Sequence, residues 1–340
     1  MATATHTRSA RSRSTKSSRS PFADVTADER SLRRFLDGLP GVDPVALEQR
    51  AAGLATRSIK KESKQAAIDL AISMVDLTTL EGADTPGKVR NLARKALAPD
   101  PDLPDTPRVA AICIYPDLVP VAIDALAGST DTGAKINIAS VATAFPSGRA
   151  QTAVKIADVR SAVEAGADEI DMVIDRGGFL AGNYGKVFDE IVAVKDALQQ
   201  TQGSRQARLK VILETGELAT YDYVRRASWL ALLAGADFIK TSTGKVSPAA
   251  TLPVTHVMLQ AVKDWKRLTG EQRAVKPAGG IRTSKDAIRY LVAVREVAGP
   301  EWLDPYWFRF GASSLLNDLI MQRRKMLSGH YWGADYVTLD

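Results

Sequence analysis

The chain has 340 residues at 36.6 kDa, enough for one large domain or two ordinary ones, and its 45% hydrophobic and 25% charged content is that of a folded globular protein. It holds one cysteine, Cys113, three scattered histidines (His6, His256, His330) and no apolar run of about 18 residues, which argues against a disulfide framework, a CxxC motif, a histidine metal cage, a metalloprotease or serine-protease site and a transmembrane helix. Arg8, Arg11, Arg13, Lys16 and Arg19 supply five of the six excess positive charges, so the basic balance describes one terminus and is a weak nucleic-acid signal.

Residues 1–25 are expected to be a disordered basic tail. Serine, threonine and arginine dominate the first 20 positions, and such a segment cannot bury enough surface to offset its ordering entropy. The acid-poor, Arg- and Ser-rich composition also fits an organelle-targeting peptide, although an amphipathic stripe is missing. No apolar segment suits a secretory signal, and a cytoplasmic protein is expected. Residues 26–64, with Leu32, Phe35, Leu36, Leu47 and Leu54, are expected to form one or two helices outside the main fold.

Residues 65–328 alternate short apolar runs with helix-like stretches. The runs are Ile72–Val75, Val109–Tyr115, Ile136–Val141, Glu169–Ile174, Leu209–Leu213, Phe238–Ile239, Ala274–Lys276 and Phe308–Phe310. The helical stretches are Leu118–Leu126, Gln151–Glu164, Tyr184–Gln199, Tyr221–Ala234, Thr251–Leu268, Ser284–Val297 and Ser313–Met326, with Pro248 and Ser284 read as start signals. Eight such strands over about 265 residues predict an α/β fold, the (β/α)8 TIM barrel. A doubly wound sheet is the alternative, but neither a GxGxxG turn nor a GxxxxGK[ST] loop occurs. Residues 329–340 are left as a C-terminal tail.

In a barrel, reactive groups belong at the C-terminal strand ends. In chain order these carry Asp76-Leu77-Thr78-Thr79, Cys113 with Tyr115, Asp168 to Asp175, Glu214-Thr215-Gly216, Lys240 to Lys245, Lys276 to Gly280, and Gly311 to Ser314. Lys240 and Lys276 end adjacent strands about 4.8 Å apart. Desolvation and mutual repulsion are expected to depress their pKa values and free one amine for Schiff-base chemistry. The competing reading has both lysines snorkelling to solvent or paired with carboxylates. Strand alternation puts Glu169, Asp171 and Val173 on one face. Asp171, between Ile170 and Met172, is then a partner for both lysines, in a working site or in a structural salt bridge. Gly279-Gly280 and Gly311-Ala312-Ser313-Ser314, with Lys245, resemble a phosphate cradle, ordinary turns and a cap being the alternative.

These stretches resemble the deoxyribose-phosphate aldolase family. The two lysine signatures are Asp237–Lys245 and Lys276–Arg282, supported by DLTTL (76–80), AICIYP (111–116), ADEIDMVI (167–174), ETGEL (214–218) and RFGASSLL (309–316). The resemblance spans about residues 70–316. It implies a class I aldolase, a carbon–carbon lyase with neither metal nor cofactor. The implied reaction is reversible cleavage of 2-deoxy-D-ribose 5-phosphate to D-glyceraldehyde 3-phosphate and acetaldehyde, in deoxyribose catabolism.

By the same resemblance, Lys240 is the Schiff-base lysine, Lys276 the neighbour that depresses its pKa and Asp171 the proton relay. Asp76 holds Lys276, and Thr78 and Thr243 contact substrate hydroxyls. Gly244, Lys245, Gly279, Gly280, Ser313 and Ser314 line the phosphate site. The first 60 or so residues look like those of longer family members. The terminal tyrosine of some members has a poor match here, and neither Tyr331 nor Tyr336 is assigned. The partner expected is a small phosphosugar, with no nucleic acid and no membrane, and a homo-oligomer is left open. The rivals are another phosphosugar enzyme on the same barrel, such as a transaldolase, and a nucleic-acid-associated scaffold using the basic tail.

Overall fold

A computed structural model describes residues 21–127, 135–200, 206–330 and 333. The tail composition of residues 1–20, Tyr331 and Tyr336 lie outside the described residues. Residues 21–25 are packed on the fold: Phe22 is buried against Phe35, Trp229 and Trp265, and stacks on Trp265 with ring centroids 5.4 Å apart. An aromatic side chain with three aromatic partners anchors the segment assigned to the tail at 21–25.

Three helices precede the sheet: α1 (Glu29–Asp37), α2 (Pro44–Ala55) and α3 (Lys61–Ser73). Asp28 and Asp43 cap the first two by accepting amide hydrogens from Ser31 and from Val45 and Ala46. α1 packs on α8 (Tyr184–Gln200) and α9 (Tyr221–Leu233), α2 on α10 (Leu252–Thr269) and α11 (Ser284–Val297), and α3 on α11 and α12 (Leu315–Ser328). They cover the barrel helices on one side.

The strands are β1 (Val75–Thr78), β2 (Ala111–Ile114), β3 (Asn137–Ala142), β4 (Glu169–Val173), β5 (Arg208–Ile212), β6 (Phe238–Lys240), β7 (Ala274–Lys276) and β8 (Phe310–Ala312). Every pairing is parallel, in the order β7-β6-β5-β4-β3-β2-β1-β8. Bridges from Val275 to Phe308 and from Ala278 to Gly311 join β7 to the β8 segment and complete the ring. The remaining crossovers are α4 (Pro86–Leu97), α5 (Val119–Ala127), α6 (Thr152–Glu164) and the short α7 (Arg176–Leu180) before α8. The expected (β/α)8 barrel is the architecture observed. Among the described residues, no helix is long and apolar enough to cross a membrane.

Strand alternation divides the barrel into two environments. Leu77, Ile112, Ile170, Met172, Val211 and Ile239 join the apolar layer beneath the helices. The interior holds a small apolar group near β1–β3 (Leu80, Cys113, Ala139, Val141) and, toward β4–β8, a set of buried charges. Threonines start four crossover helices: Thr85, Thr220, Thr251 and Thr283 each accept an amide hydrogen in the first turn of α4, α9, α10 and α11.

Three local expectations are corrected. Ile72 lies in α3, where Ile68, Ala71 and Ile72 form a buried helical stripe, and the strand starts at Val75. Pro248 does not open α10: Thr251 caps it and Pro253 occupies its first turn. α11 is capped by Thr283 rather than Ser284. In addition, α4 carries an amphipathic pattern of Val89, Leu92, Ala93 and Ala96 that was absent from the expected helices.

Candidate active site

The strands deliver seven charged side chains to the barrel interior, each 3% exposed or less: Asp76 (β1), Glu169 and Asp171 (β4), Lys210 (β5), Lys240 (β6), Lys276 (β7) and Arg309, just before β8. Register brings them together. Lys240 is paired with Lys276 across β6–β7, and Asp171 with Lys210 across β4–β5. Lys240 Nζ and Lys276 Nζ both donate to Asp171 Oδ2, at 2.7 and 2.9 Å. Lys210 Nζ donates to Asp171 Oδ1 at 2.7 Å and meets Glu169 Oε2 at 2.5 Å. Asp76 Oδ2 meets Lys276 at 2.6 Å and Lys210 at 3.7 Å as ion pairs. Arg309 spans the far side, with Nη1 2.5 Å from Asp76 Oδ1 and Nη2 3.2 Å from Glu169 Oε1.

This geometry separates the two strand-end lysines. Burial lowers the pKa of Lys240; Asp171 opposes that effect, and repulsion from Lys276 adds to it. Burial works on Lys276 too, but Asp171 and Asp76 outweigh it, and its pKa rises. The expectation that both lysines are depressed is corrected for Lys276: only Lys240 moves down, in part by repulsion from Lys276, while the two carboxylates carry Lys276 upward. Asp171 is held well below the usual carboxylate range, because Lys210, Lys240 and Lys276 together overcome its burial. Burial raises the Cys113 thiol, whose sulfur lies 3.8 Å from Asp171 Oδ2.

Above the charges lies a cavity of 480 Å³ that reaches Lys240. Its walls contain Thr78, Thr243, Gly244, Lys245, Gly279, Gly280, Ser313 and Ser314, so the residues expected to contact hydroxyls and an anion share one space with Lys240. Lys88 and Arg282 add positive charge there. Gly279 has φ +79° and a Cβ on it would sit 2.7 Å from the Ala249 Cβ, so no larger residue fits this turn. Ser314 precedes α12 without capping it through its side chain.

Three of the expected groups have partners within the protein. The Thr243 hydroxyl donates to Glu214 Oε2 at 2.5 Å and accepts the Lys245 amide hydrogen at 3.1 Å. The Thr78 hydroxyl donates to the Asp76 carbonyl at 2.8 Å. Lys245 Nζ meets the exposed Glu81 at 2.7 Å on the cavity rim. Arg176 binds Glu214 at 3.2 Å and Glu217 at 2.9 Å, tying the loops after β4 and β5 together.

Sequence reasoning passed over Lys210 and Arg309. Each carried the signal that singled out Asp171, a charge flanked by apolar strand residues: Lys210 between Leu209 and Val211, Arg309 between Phe308 and Phe310. Among the described residues, no group of three or more His, Cys, Asp or Glu side chains is arranged to hold a metal ion.

The chain is similar to known aldolases over most of its length. It is 42% identical over 299 residues to the deoxyribose-phosphate aldolase of Mus musculus, covering 85% of this chain and 91% of that one. It is 42% identical over 296 residues to the enzyme of that name from Homo sapiens, covering 85% and 90%. The barrel also superposes on a tetrameric deoxyribose phosphate aldolase from Aeropyrum pernix with a TM-score of 0.54, at 24% identity, covering 85% of this chain and 100% of that one, a likeness of fold. The family described as "DeoC/LacD family aldolase" matches residues 70–320, the span that contains every strand and every buried charge above, and the chain belongs to that family.

Proposed function

We propose that this aldolase cleaves 2-deoxy-D-ribose 5-phosphate reversibly into acetaldehyde and D-glyceraldehyde 3-phosphate through a Schiff base on Lys240. The observation that carries this reading is the convergence of Lys240 and Lys276 on one oxygen of Asp171, at 2.7 and 2.9 Å, beneath a cavity with a glycine- and serine-lined rim. The names of the Mus musculus and Homo sapiens relatives support the substrate.

The uncharged Lys240 amine attacks the C1 aldehyde and loses water to form an imine, whose protonated form withdraws electrons. A base takes the proton from the C3 hydroxyl, C3 becomes the aldehyde carbon of glyceraldehyde 3-phosphate, and the C2–C3 pair moves into an enamine on the lysine nitrogen. Protonation at C2 and hydrolysis release acetaldehyde and restore the amine. Asp171, bound to the reacting nitrogen, relays these protons through water. Three cations hold it ionised, so it passes each proton on rather than retaining it. Lys276, kept charged by Asp76 and Asp171, holds that carboxylate beside the imine. The phosphate is received by the turns of Gly244, Gly279 and Gly280, the Ser313-Ser314 segment and Lys245.

Product analysis tests the substrate. Incubation with 2-deoxyribose 5-phosphate is expected to give acetaldehyde and glyceraldehyde 3-phosphate in equal amounts. Transfer of a three-carbon ketone unit from a ketose phosphate, with no acetaldehyde formed, would instead identify a transaldolase.

A further inference from the structure

The interior cluster contains three carboxylates, Asp76, Glu169 and Asp171, and four cations, Lys210, Lys240, Lys276 and Arg309. Fully ionised, it carries one surplus positive charge in a nearly dry space, where an unbalanced charge is costly. The surplus is relieved when one lysine gives up its proton, and the contacts decide which. Lys210 lies within 4 Å of all three carboxylates and Lys276 of two, Asp76 and Asp171. Arg309 also pairs with two, and a guanidinium does not deprotonate in proteins. Lys240 pairs with Asp171 alone, on an oxygen that also serves Lys276. It is therefore the cation whose proton is held most weakly.

The other elements around Lys240 add no unpaired charge: Glu214, buried just past β5, is held by Arg176 at 3.2 Å and by the Thr243 hydroxyl. β2 presents Cys113, whose thiol is kept neutral by burial. β3 presents Asn137, which donates to Glu169 Oε1 at 2.9 Å. Arg208, lower on β5, stacks on Tyr306 and Phe238 and makes no ion pair among the described residues.

Arg309 is therefore decisive although it does not line the substrate cavity. We propose that Arg309 is a positioning residue that keeps the Lys240 amine free of its proton, by balancing Asp76 and Glu169 from the far side of the cluster. Without it the cluster reaches neutrality with Lys240 still protonated. With it, neutrality requires Lys240 to be an amine. This assignment rests on Lys240 as the Schiff-base nucleophile. Its direction agrees with the pKa shifts: Lys240 down, Lys210 and Lys276 up, and both Asp76 and Glu169 held low against burial by their cationic neighbours.

The test is the pH dependence of borohydride-trapped acetaldehyde on Lys240, followed by peptide mass mapping, in wild type, Arg309→Gln, Glu169→Gln and the double variant. Arg309→Gln is expected to move the labelling midpoint upward by about one pH unit or more. It should then label about tenfold more slowly at pH 7 and recover in alkaline buffer. Glu169→Gln adds to the surplus and should move the midpoint down. The double variant restores the original balance and should return close to wild type, whereas a merely structural role would make two buried lesions worse than one. Circular dichroism checks folding; if Arg309→Gln does not fold, the downward shift of Glu169→Gln and the return in the double variant decide. With labelling intact, an unshifted midpoint in Arg309→Gln, or a double variant no closer to wild type than Arg309→Gln, overturns this assignment alone. Absence of label on Lys240 in active wild type overturns the reading of Lys240 as the nucleophile, and this assignment with it.

Discussion

Lys240 and Lys276 stand opposite each other in the β6–β7 pairing and share one carboxylate oxygen, yet their pKa values move apart. The cause is unequal pairing. Lys276 reaches Asp76 as well as Asp171, at 2.6 and 2.9 Å, while Lys240 reaches Asp171 alone.

Removing Lys276 therefore does two things in the same direction. It takes away a repelling charge, and it leaves Asp76 and Asp171 with less compensation, so the Lys240 proton is held more tightly. Lys276→Leu is expected to shift the rise of kcat/KM with pH to more alkaline values. Activity at pH 7 should fall about tenfold for every pH unit that the rise moves, and return in part at higher pH. Lys276→Arg keeps the charge with a bulkier, planar donor. It should keep the midpoint near wild type and lose activity through misplacement. A pH–rate profile of the three proteins checks this, and an unshifted rise in Lys276→Leu would remove Lys276 as a cause of the depressed Lys240 pKa.

Lys240 should cost the fold stability. Its folded pKa lies below its unfolded value of about 10.4, so the folded state binds fewer protons and stability rises with pH until that value is passed. At neutral pH the penalty is present. Lys240→Met should be inactive but no less stable than wild type, gaining about 1.4 kcal/mol for every tenfold weakening of proton binding at Lys240 on folding. Urea unfolding at pH 7 measures it. A loss above about 1 kcal/mol would mean that Lys240 is a stabilising ammonium.

Lys245 sits on the cavity rim with the exposed Glu81, a pair that contributes little to stability. Lys245→Met should raise KM for deoxyribose 5-phosphate about tenfold, equivalent to ~1.4 kcal/mol of binding. It should leave kcat nearly unchanged and turnover of unphosphorylated 2-deoxyribose unaffected. Equal losses on both substrates would remove the phosphate assignment.

Away from the site, Lys155 of α6 and Glu190 of α8 form a buried ion pair at 2.8 Å. Lys155→Met should destabilise the protein by about 3 kcal/mol, since it leaves the buried Glu190 carboxylate with the more distant Lys186 ammonium at 4.0 Å, whereas Lys155→Met with Glu190→Met should lie close to wild type. Thermal unfolding of both variants distinguishes this from simple loss of packing, in which the double variant would be the less stable.

The barrel was legible because its strands are short apolar runs that end in reactive residues. Lys240, Lys276 and Asp171 were legible because alternation and strand adjacency fix where such side chains meet. The opposite pKa directions of the two lysines were not, because they depend on how many carboxylates each ammonium reaches, and Asp76 arrives from β1, at the opposite end of the barrel sequence. Arg309 was hidden for a related reason: its partners Asp76 and Glu169 lie 233 and 140 positions away. At β1 the largely apolar stretch from Ile68 to Leu77 crosses from helix to strand without a glycine or proline to mark the change. α7, with sequence RGGFL, carries two glycines and little helical signal.

Trapping the imine tests directly whether Lys240 is the nucleophile. The protein is mixed with acetaldehyde or deoxyribose 5-phosphate, reduced with borohydride, digested and mapped by mass. An irreversible adduct is expected on Lys240 and none on Lys276 or Lys210. Label confined to Lys276 would reverse the two roles, and an active enzyme with no label on any lysine would contradict the Schiff-base mechanism altogether.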